Sequence, residues 1–218
     1  MVESSPKQQT QTTPDNDQIK NPERANRILD AASELLQRWG YKKTTINDIA
    51  RQAGVAKGTI YLHWQTKQEL FMALIWREKI TEATNIQLKI EQEPDGLKLH
   101  TMTKYGVLSA LHNPLIKAIM MRDSDMLGEL LYDTSGQVNI RQPLETFNAY
   151  ISYLREQGLI RSDISIEAQV HMLDAIAMGF VITDSLSPAK YQFSDEERAN
   201  LAAETVKCAF EIRHPSQN

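Results

Sequence analysis

The sequence predicts an all-α protein of about nine helices, the first three of them short. Three observations carry that prediction. From residue 20 onward, apolar residues recur at helical spacing. Asn, Pro, Gly and Asp fall where they isolate segments of helical length. No β-alternation lasts beyond a few residues, and no internal repeat is visible.

Residues 1–20 are rich in Gln, Thr, Ser, Pro and Asp and nearly bare of large apolar groups. They are expected to form a disordered tail. Asn21-Pro22 opens the first helix: Asn is a good N-cap, and Pro suits the first helical position, where an N–H has no partner. Ile28, Ala32, Leu35 and Trp39 form the apolar stripe of this helix. Gly40 is expected to end it in a left-handed conformation. Thr45 with Asp48 resembles a capping box for a second helix. Its stripe is Ile46, Ile49, Ala50 and Ala53, and Gly54 closes it. The third helix runs from about Ala56 to Trp64. Thr66 and Glu69 repeat the capping-box pattern. Leu70, Phe71, Leu74 and Ile75 lead into a fourth helix with no strong breaker before residue 92. Later breaks are Glu93-Pro94-Asp95-Gly96, Asn113-Pro114, Asp133 to Gly136, Gln142-Pro143, Gly158 and Ser187-Pro188.

The totals fit a globular chain of 218 residues, 41% hydrophobic and 24% charged, with ample core. No run approaches 18 uninterrupted apolar residues and no signal pattern opens the chain, so a cytoplasmic protein without a membrane span is expected. The one cysteine, Cys208, cannot build an intramolecular disulfide framework. Its Ala, Val and Phe neighbours suggest a buried, inert thiol. Charge is unevenly spread. Residues 20–79 carry 11 Lys/Arg against 6 Asp/Glu, and residues 80–218 carry 12 against 19. A basic block followed by an acidic body points to a polyanion-facing module joined to a part with another task.

The basic block contains the run GVAKGTIYLHWQTKQELF, from Gly54 to Phe71. On a helical wheel, Ile60 and Trp64 fall together on the core side. Lys57 and Tyr61 lie on one flank, Thr59 and His63 on the other, and Gly58 and Leu62 point away from the core. A slim ridge with donors on both sides suits a major groove about 12 Å wide with phosphates along each wall. Gly58 lets backbone approach base edges. Lys57 can reach a guanine edge or a phosphate, and Tyr61, His63 and Thr59 can donate to phosphate oxygens. A helix ending at Gly54, then Val55 and Ala56, then the next helix, is helix-turn-helix spacing. Thr44 and Thr45 begin the second helix, whose free N–H groups attract phosphate. Lys67 opens the fourth helix, where its charge opposes the dipole, which a nearby phosphate would explain. The bland alternative is a solvated helix in an ordinary bundle. It fits any one of these residues better than it fits all of them in one basic block.

The segment ILDAASELLQRWGYKKTTINDIARQAGVAKGTIYLHWQTKQELF, within about residues 22–75, resembles the TetR/AcrR (tetracycline-repressor-like) family of transcriptional regulators. The elements are the ILDAA opening, the Gly-Tyr step, Thr-Thr before Asp-Ile-Ala, Gly-Val-Ala-Lys-Gly-Thr-Ile-Tyr, His-Trp and Lys-Gln-Glu-Leu-Phe. The family usually has Phe where this chain has Trp64, and many members have Tyr or His where it has Leu62. The resemblance implies a cytoplasmic homodimer in three parts: a tail over 1–20, a helix-turn-helix DNA-binding domain over 21–66, and an effector-binding and dimerisation bundle over 67–218. By position, Thr44, Thr45, Lys57, Gly58, Thr59, Tyr61, His63 and Lys67 would touch a palindromic double-stranded operator. A small-molecule effector, most simply a hydrophobic one, would release a repressor. The last two long helices, about Ser165–Leu186 and Ser194–Ile212, would form the dimer interface.

The residues agree with that placement. AQVHMLDAIAMGFVI, residues 168–182, is apolar on nearly every side. Ser194 and Glu197 form a capping box, and Ala199, Ala202, Ala203 and Ala209 permit close approach to a partner. Met172, Ile176, Phe180, Leu201, Val206 and Phe210 are the candidate dimer residues, although an internal bundle core accounts for the same pattern. Methionines and aromatics in the middle segment suggest an effector pocket, with Met102, Tyr105, Met121, Phe147, Tyr150 and His171 as candidates. The five histidines pair with no compact set of ligands, so no metal site is expected. No cofactor motif, nucleophile elbow or phosphate loop occurs, so no catalytic residue is assigned. An enzyme is the weak alternative, and a DNA-architectural or interaction module the other.

Overall fold

The computed structural model describes residues 21–132, 141–186 and 193–212. The expected tail and the turn signals at 133–136 and 187–188 lie outside them. Ten α-helices and one 3₁₀ turn occur among the described residues. They are α1 (Pro22–Lys43), α2 (Ile46–Ala53), α3 (Lys57–His63), α4 (Lys67–Ile90), α5 (Leu99–His112), α6 (Pro114–Met121), α7 (Ser124–Leu127), the 3₁₀ turn (Gly128–Tyr132), α8 (Arg141–Glu156), α9 (Ile166–Leu186) and α10 (Asp195–Phe210). The sequence reading missed the single-turn α7, which Asp123 caps by accepting from the N–H groups of Asp125 and Met126. The described residues hold no β-strand, only an isolated bridge between Ile160 and Glu211.

Most expected ends are made by the expected chemistry. The Asn21 side chain accepts from Glu23 N and Arg24 N. Thr45–Asp48 and Ser194–Glu197 are complete capping boxes. At α4 the box is altered: Thr66 accepts from Glu69 N, but Glu69 Oε2 accepts from Gln65 N at 2.8 Å, one residue early. Gln142-Pro143 is not a break. Pro143 lies in the first turn of α8, where no intrahelical N–H bond is lost.

Gly40 departs from expectation in a way that matters. The chain resumes helix after it, to Lys43, and Gly40 itself sits at φ 74°, ψ 168°. That region is essentially closed to other residues. A Cβ there would also stand 2.5 Å from the carbonyl oxygen of Asp125. The kink turns Tyr41 into the core and leaves Trp39 exposed, off the stripe to which its spacing assigned it.

One core joins α1, α2 and α3 through Ile28, Leu36, Ile49 and Ile60 to Leu70, Phe71 and Leu74 of α4. The same core takes in Leu115 and Ala118 of α6, Leu127 of α7 and Leu130. The small N-terminal head is therefore closed by the body. Each fully buried Leu, Ile or Phe contributes about 1.5–3 kcal/mol. A second core gathers Leu99, Ile151, Leu154, Leu173, Val206 and Phe210, and a third gathers Val107, Leu108, Val181, Ala199 and Ala202. Arg155 braces α8 against α9: its guanidinium donates to the buried Gln169 Oε1 at 2.8 and 2.6 Å and to Ile164 O at 2.7 Å.

Candidate nucleic-acid interface and effector cavity

The turn between α2 and α3 is built as the sequence requires. Gly54 adopts the left-handed conformation at φ 65°, ψ 37°, and Val55 N donates to Ala50 O at 3.0 Å. Ile60 fills the head core, which fixes the roll of α3. Tyr61 is 45% and Leu62 52% exposed. Lys57 and Gly58 are also exposed, while Thr59 and His63 are half-buried. The ridge predicted from the wheel is thus present. A Cβ on Gly58 would meet nothing within 4 Å, so packing does not demand glycine there. Lys57 Nζ lies 5.9 Å from the centre of the Tyr61 ring. The His63 ring rests against Trp64, with centroids 5.3 Å apart.

Two of the expected contacts have internal duties. Thr44 is buried: its hydroxyl donates to Gly40 O at 2.9 Å and Leu35 O at 3.2 Å. It secures the end of α1 and presents no side chain to a ligand. Lys67 Nζ donates to Tyr41 O at 2.6 Å and stands 4.0 Å over the Tyr41 ring. Burial pushes its ammonium below the usual lysine range, with Glu129 acting the other way. The carbonyl and ring explain this cation at a helix N-terminus without any phosphate. Thr45 is exposed, but its hydroxyl donates to Asp48 Oδ2 at 2.6 Å. That bond, with Arg51 2.8 Å away, holds the Asp48 carboxyl below its ordinary value. The reading missed Lys42 and Lys43, both exposed beside the start of α2. Two adjacent lysines just before the Thr-Thr pair were a visible signal.

The caps give a prediction. Thr44→Val should lower stability by about 1–2 kcal/mol, because two buried carbonyls lose a donor. The operator affinity of the folded protein should stay within about twofold of wild type if position 44 makes no phosphate bond. Urea unfolding and a filter-binding assay check the two halves separately.

In the body, a cavity of about 420 Å³ opens between α4, α5, α6, α8 and α9. Of the expected effector residues, Met102 and Phe147 line it. The others serve elsewhere. Tyr105 donates to Glu93 Oε1 at 2.6 Å, a bond that pushes the phenol up to about 12. Tyr150 donates to Leu97 O at 2.8 Å, and burial raises its phenol. Met121 packs on the third core, and His171 is exposed on α9. The reading missed Lys79, Glu82 and Ile86, which α4 contributes to the wall. On the sequence they look like an ordinary solvated helix face.

Residues 28–74 match the family described as bacterial regulatory proteins, tetR family. Over 161 residues the chain is 47% identical to the uncharacterised HTH-type transcriptional regulator YvkB of Bacillus subtilis, covering 72% of this chain and 80% of that protein. This chain belongs to the tetR family. It is also 20% identical to the HTH-type transcriptional regulator AcrR of Shigella flexneri, over 88% of this chain and 93% of that one. The solved SmeT–triclosan complex superposes with a TM-score of 0.65 at 20% identity, over 89% and 96% of the two chains. The structure of AibR with isovaleryl coenzyme A and operator DNA superposes at 0.59 with 18% identity, over 86% and 98%. The chain is a DNA-binding transcription regulator with a helix-turn-helix head on an all-helical body.

Within this tetR-family body, the expected dimer residues divide. Met172 is 40% and Leu201 43% exposed, and Ile176 and Phe180 are half-buried. Val206 and Phe210 are fully buried in the second core and cannot face a partner. The α10 stripe of Ala199, Ala202, Val206 and Phe210 is spent on the inside of its own subunit. The partner that the alanines approach closely is α5. Cys208, expected to be buried, is exposed on the outer side of α10, 3.5 Å from Glu204 Oε1.

Proposed function

We propose that the protein is a homodimeric repressor that leaves a palindromic operator when a small effector fills the cavity between α4 and α9. One observation carries the reading: α3 anchors Ile60 in the core while Lys57, Gly58 and Tyr61 stand free on a basic head. Thr45, Thr59 and His63, with Lys42 and Lys43, complete the set of groups near a phosphate strand. The head covers residues 21–66, its core completed by the first turns of α4, and residues 67–218 carry effector and partner.

The partner is a second copy, seated on α9 and α10. Residues 166–183 of α9 have a mean hydropathy of 1.3, yet only 22% of them are buried. So much exposed apolar helix calls for a cover. Glu167, His171 and Asp174 recur at one-turn spacing on it, which disfavours lipid as that cover. Met172, Ile176, Phe180 and Leu201 are the residues offered to the twin subunit. Dimerisation sets two α3 helices about 34–36 Å apart, in successive major grooves.

Two elements run from the cavity to the head. The unbroken α4 places Leu70, Phe71 and Leu74 in the head core and Lys79 and Ile86 in the cavity wall. The short α6 turns Leu115 and Ala118 to the head core and Ile116 and Met120 to the cavity. An occupant that displaces either helix moves the head, so effector and operator oppose each other by one coupling energy. AibR, a neighbour by fold, has been solved with both an acyl coenzyme A and operator DNA, which supports the two-ligand reading. The protein BepR of Brucella suis, 24% identical over 162 residues, is named a transcriptional repressor. The reading places the protein in the cytoplasm, beside its operator.

The test is a mobility-shift assay on the promoter of its own gene against unrelated DNA. Wild type should prefer the promoter, with a steep loss as salt rises. Tyr61→Phe should weaken both DNAs alike, by about 0.5–1.5 kcal/mol. Lys57→Ala should cost about 1–3 kcal/mol of promoter preference as well. Equal shifts of both DNAs by wild type would instead favour an architectural protein.

A further inference from the structure

Lys79 poses a problem that the fold alone does not solve. Its ammonium is half-buried in the wall of the cavity, and it is the one cation lining it among the described residues. It has no hydrogen-bond or ion-pair partner among them. The neighbouring charges of α4 are committed elsewhere: Arg77 bridges Asp30 at 2.7 Å and Glu78 at 3.1 Å, and Glu78 also accepts from Asn113. Two carboxylates share the cavity, Glu82 one turn along α4 and Asp174 on α9, but neither comes within 4.0 Å of Lys79 Nζ. Asp174 is an exposed residue, although partial burial of its carboxyl raises it above the ordinary carboxylate range, with His171 acting the other way. Burial pushes the Lys79 ammonium below the usual lysine range, with no acid offsetting it. Most of the remaining wall is hydrocarbon, Ile86, Met102, Val107, Ile119 and Phe147 among it, with Thr103 and Ser109 as its neutral polar members. Gly106 also lines the cavity, and a Cβ there would meet nothing within 4 Å, so the space is open.

A half-buried cation with no partner within 4.0 Å, in a largely apolar cavity, is complementary to an anionic group. We infer that the cavity takes an amphipathic organic anion, an apolar body bearing one acidic head group, with Lys79 as the group that holds the head. This rests on the reading of the cavity as the effector site. The volume falls within the range of small-molecule sites. The head engages α4 at the level where α6 crosses it, between the cavity and the head domain, which is where an occupant has leverage on both helices.

The experiment uses the full chain and three eight-carbon probes: octanoate, 1-octanol and octyltrimethylammonium, titrated by calorimetry. Octanoate should bind about tenfold or more tightly than the alcohol, as a charge-assisted pair allows. Lys79→Met should erase that preference while leaving octanol binding in place. Lys79→Arg should keep most of it. Gly106→Leu, which grows a side chain into the cavity, should abolish binding of octanoate and octanol alike. Tighter binding of octyltrimethylammonium, octanoate binding unchanged in Lys79→Met or in Gly106→Leu, or no binding by any probe would overturn the inference. The promoter shift of the same unliganded protein is measured alongside. If it stays intact, the DNA-binding reading survives any of these failures; if wild type gives none, that reading falls on its own account.

Discussion

Gly40→Ala should be among the most damaging small substitutions in the chain, costing about 3 kcal/mol or more. Two penalties add. The backbone at φ 74°, ψ 168° excludes a side chain on conformational grounds alone. The added methyl would also meet the Asp125 carbonyl oxygen at 2.5 Å, a backbone atom that cannot swing away as a side chain end can. Relief requires α7 to retreat from α1, which opens the core that Leu127 and Leu130 share with the head. For a chain of this size the thermal midpoint should fall by roughly 6–12 °C. Gly58→Ala is the contrast. Its Cβ enters open space, and the position is helical and exposed. Stability there should change by less than about 1 kcal/mol, while promoter binding weakens if the ridge that carries the added methyl faces DNA as proposed. Thermal unfolding by circular dichroism separates the two glycines. A shift of under two degrees for Gly40→Ala would mean that the α1–α7 junction yields far more easily than its geometry indicates.

Placing two carboxylates on the outer face of α9, as Met172→Glu with Ile176→Glu, should split the proposed dimer without unfolding the subunit. Met172 is exposed and Ile176 half-buried in one subunit, so neither change should empty the monomer core. In the dimer both would bury unpaired charge against the twin helix. Losing the second head removes the gain from linked half-sites, and promoter affinity should fall on the order of a hundredfold. Sedimentation velocity should show monomers with helical content unchanged. A double variant that stays dimeric at low micromolar concentration would move the interface elsewhere. Val206→Glu should behave differently, collapsing the second core rather than dissociating a folded pair.

How far each expectation reached depends on the range of the forces behind it. The caps at Asn21, Thr45 and Ser194 were legible because a cap joins residues two or three positions apart. The roll of α3 was legible because one large residue, Ile60, fixes which side is inside. Thr44 and Lys67 have internal partners that the sequence reading did not include. Leu35 O lies 9 residues from Thr44 and Tyr41 O 26 from Lys67, so the fold supplies both, although Thr44 also bonds Gly40 O four residues back. The effector residues were sought among methionines and aromatics, whereas the one cation of the wall among the described residues, Lys79, comes from a helix that reads as solvated.

The amino-acid order by itself determined the all-helical class, the starts of the first two helices, the basic head with its exposed ridge, and the family. All of these rest on local periodicity, capping and side-chain volume. Tertiary structure alone decided that Asp125 closes on Gly40, that the α10 stripe faces α5, and that Lys79 overlooks a cavity. Each of those depends on which surfaces meet across long chain separations, where packing of whole helices overrides the preferences of single residues.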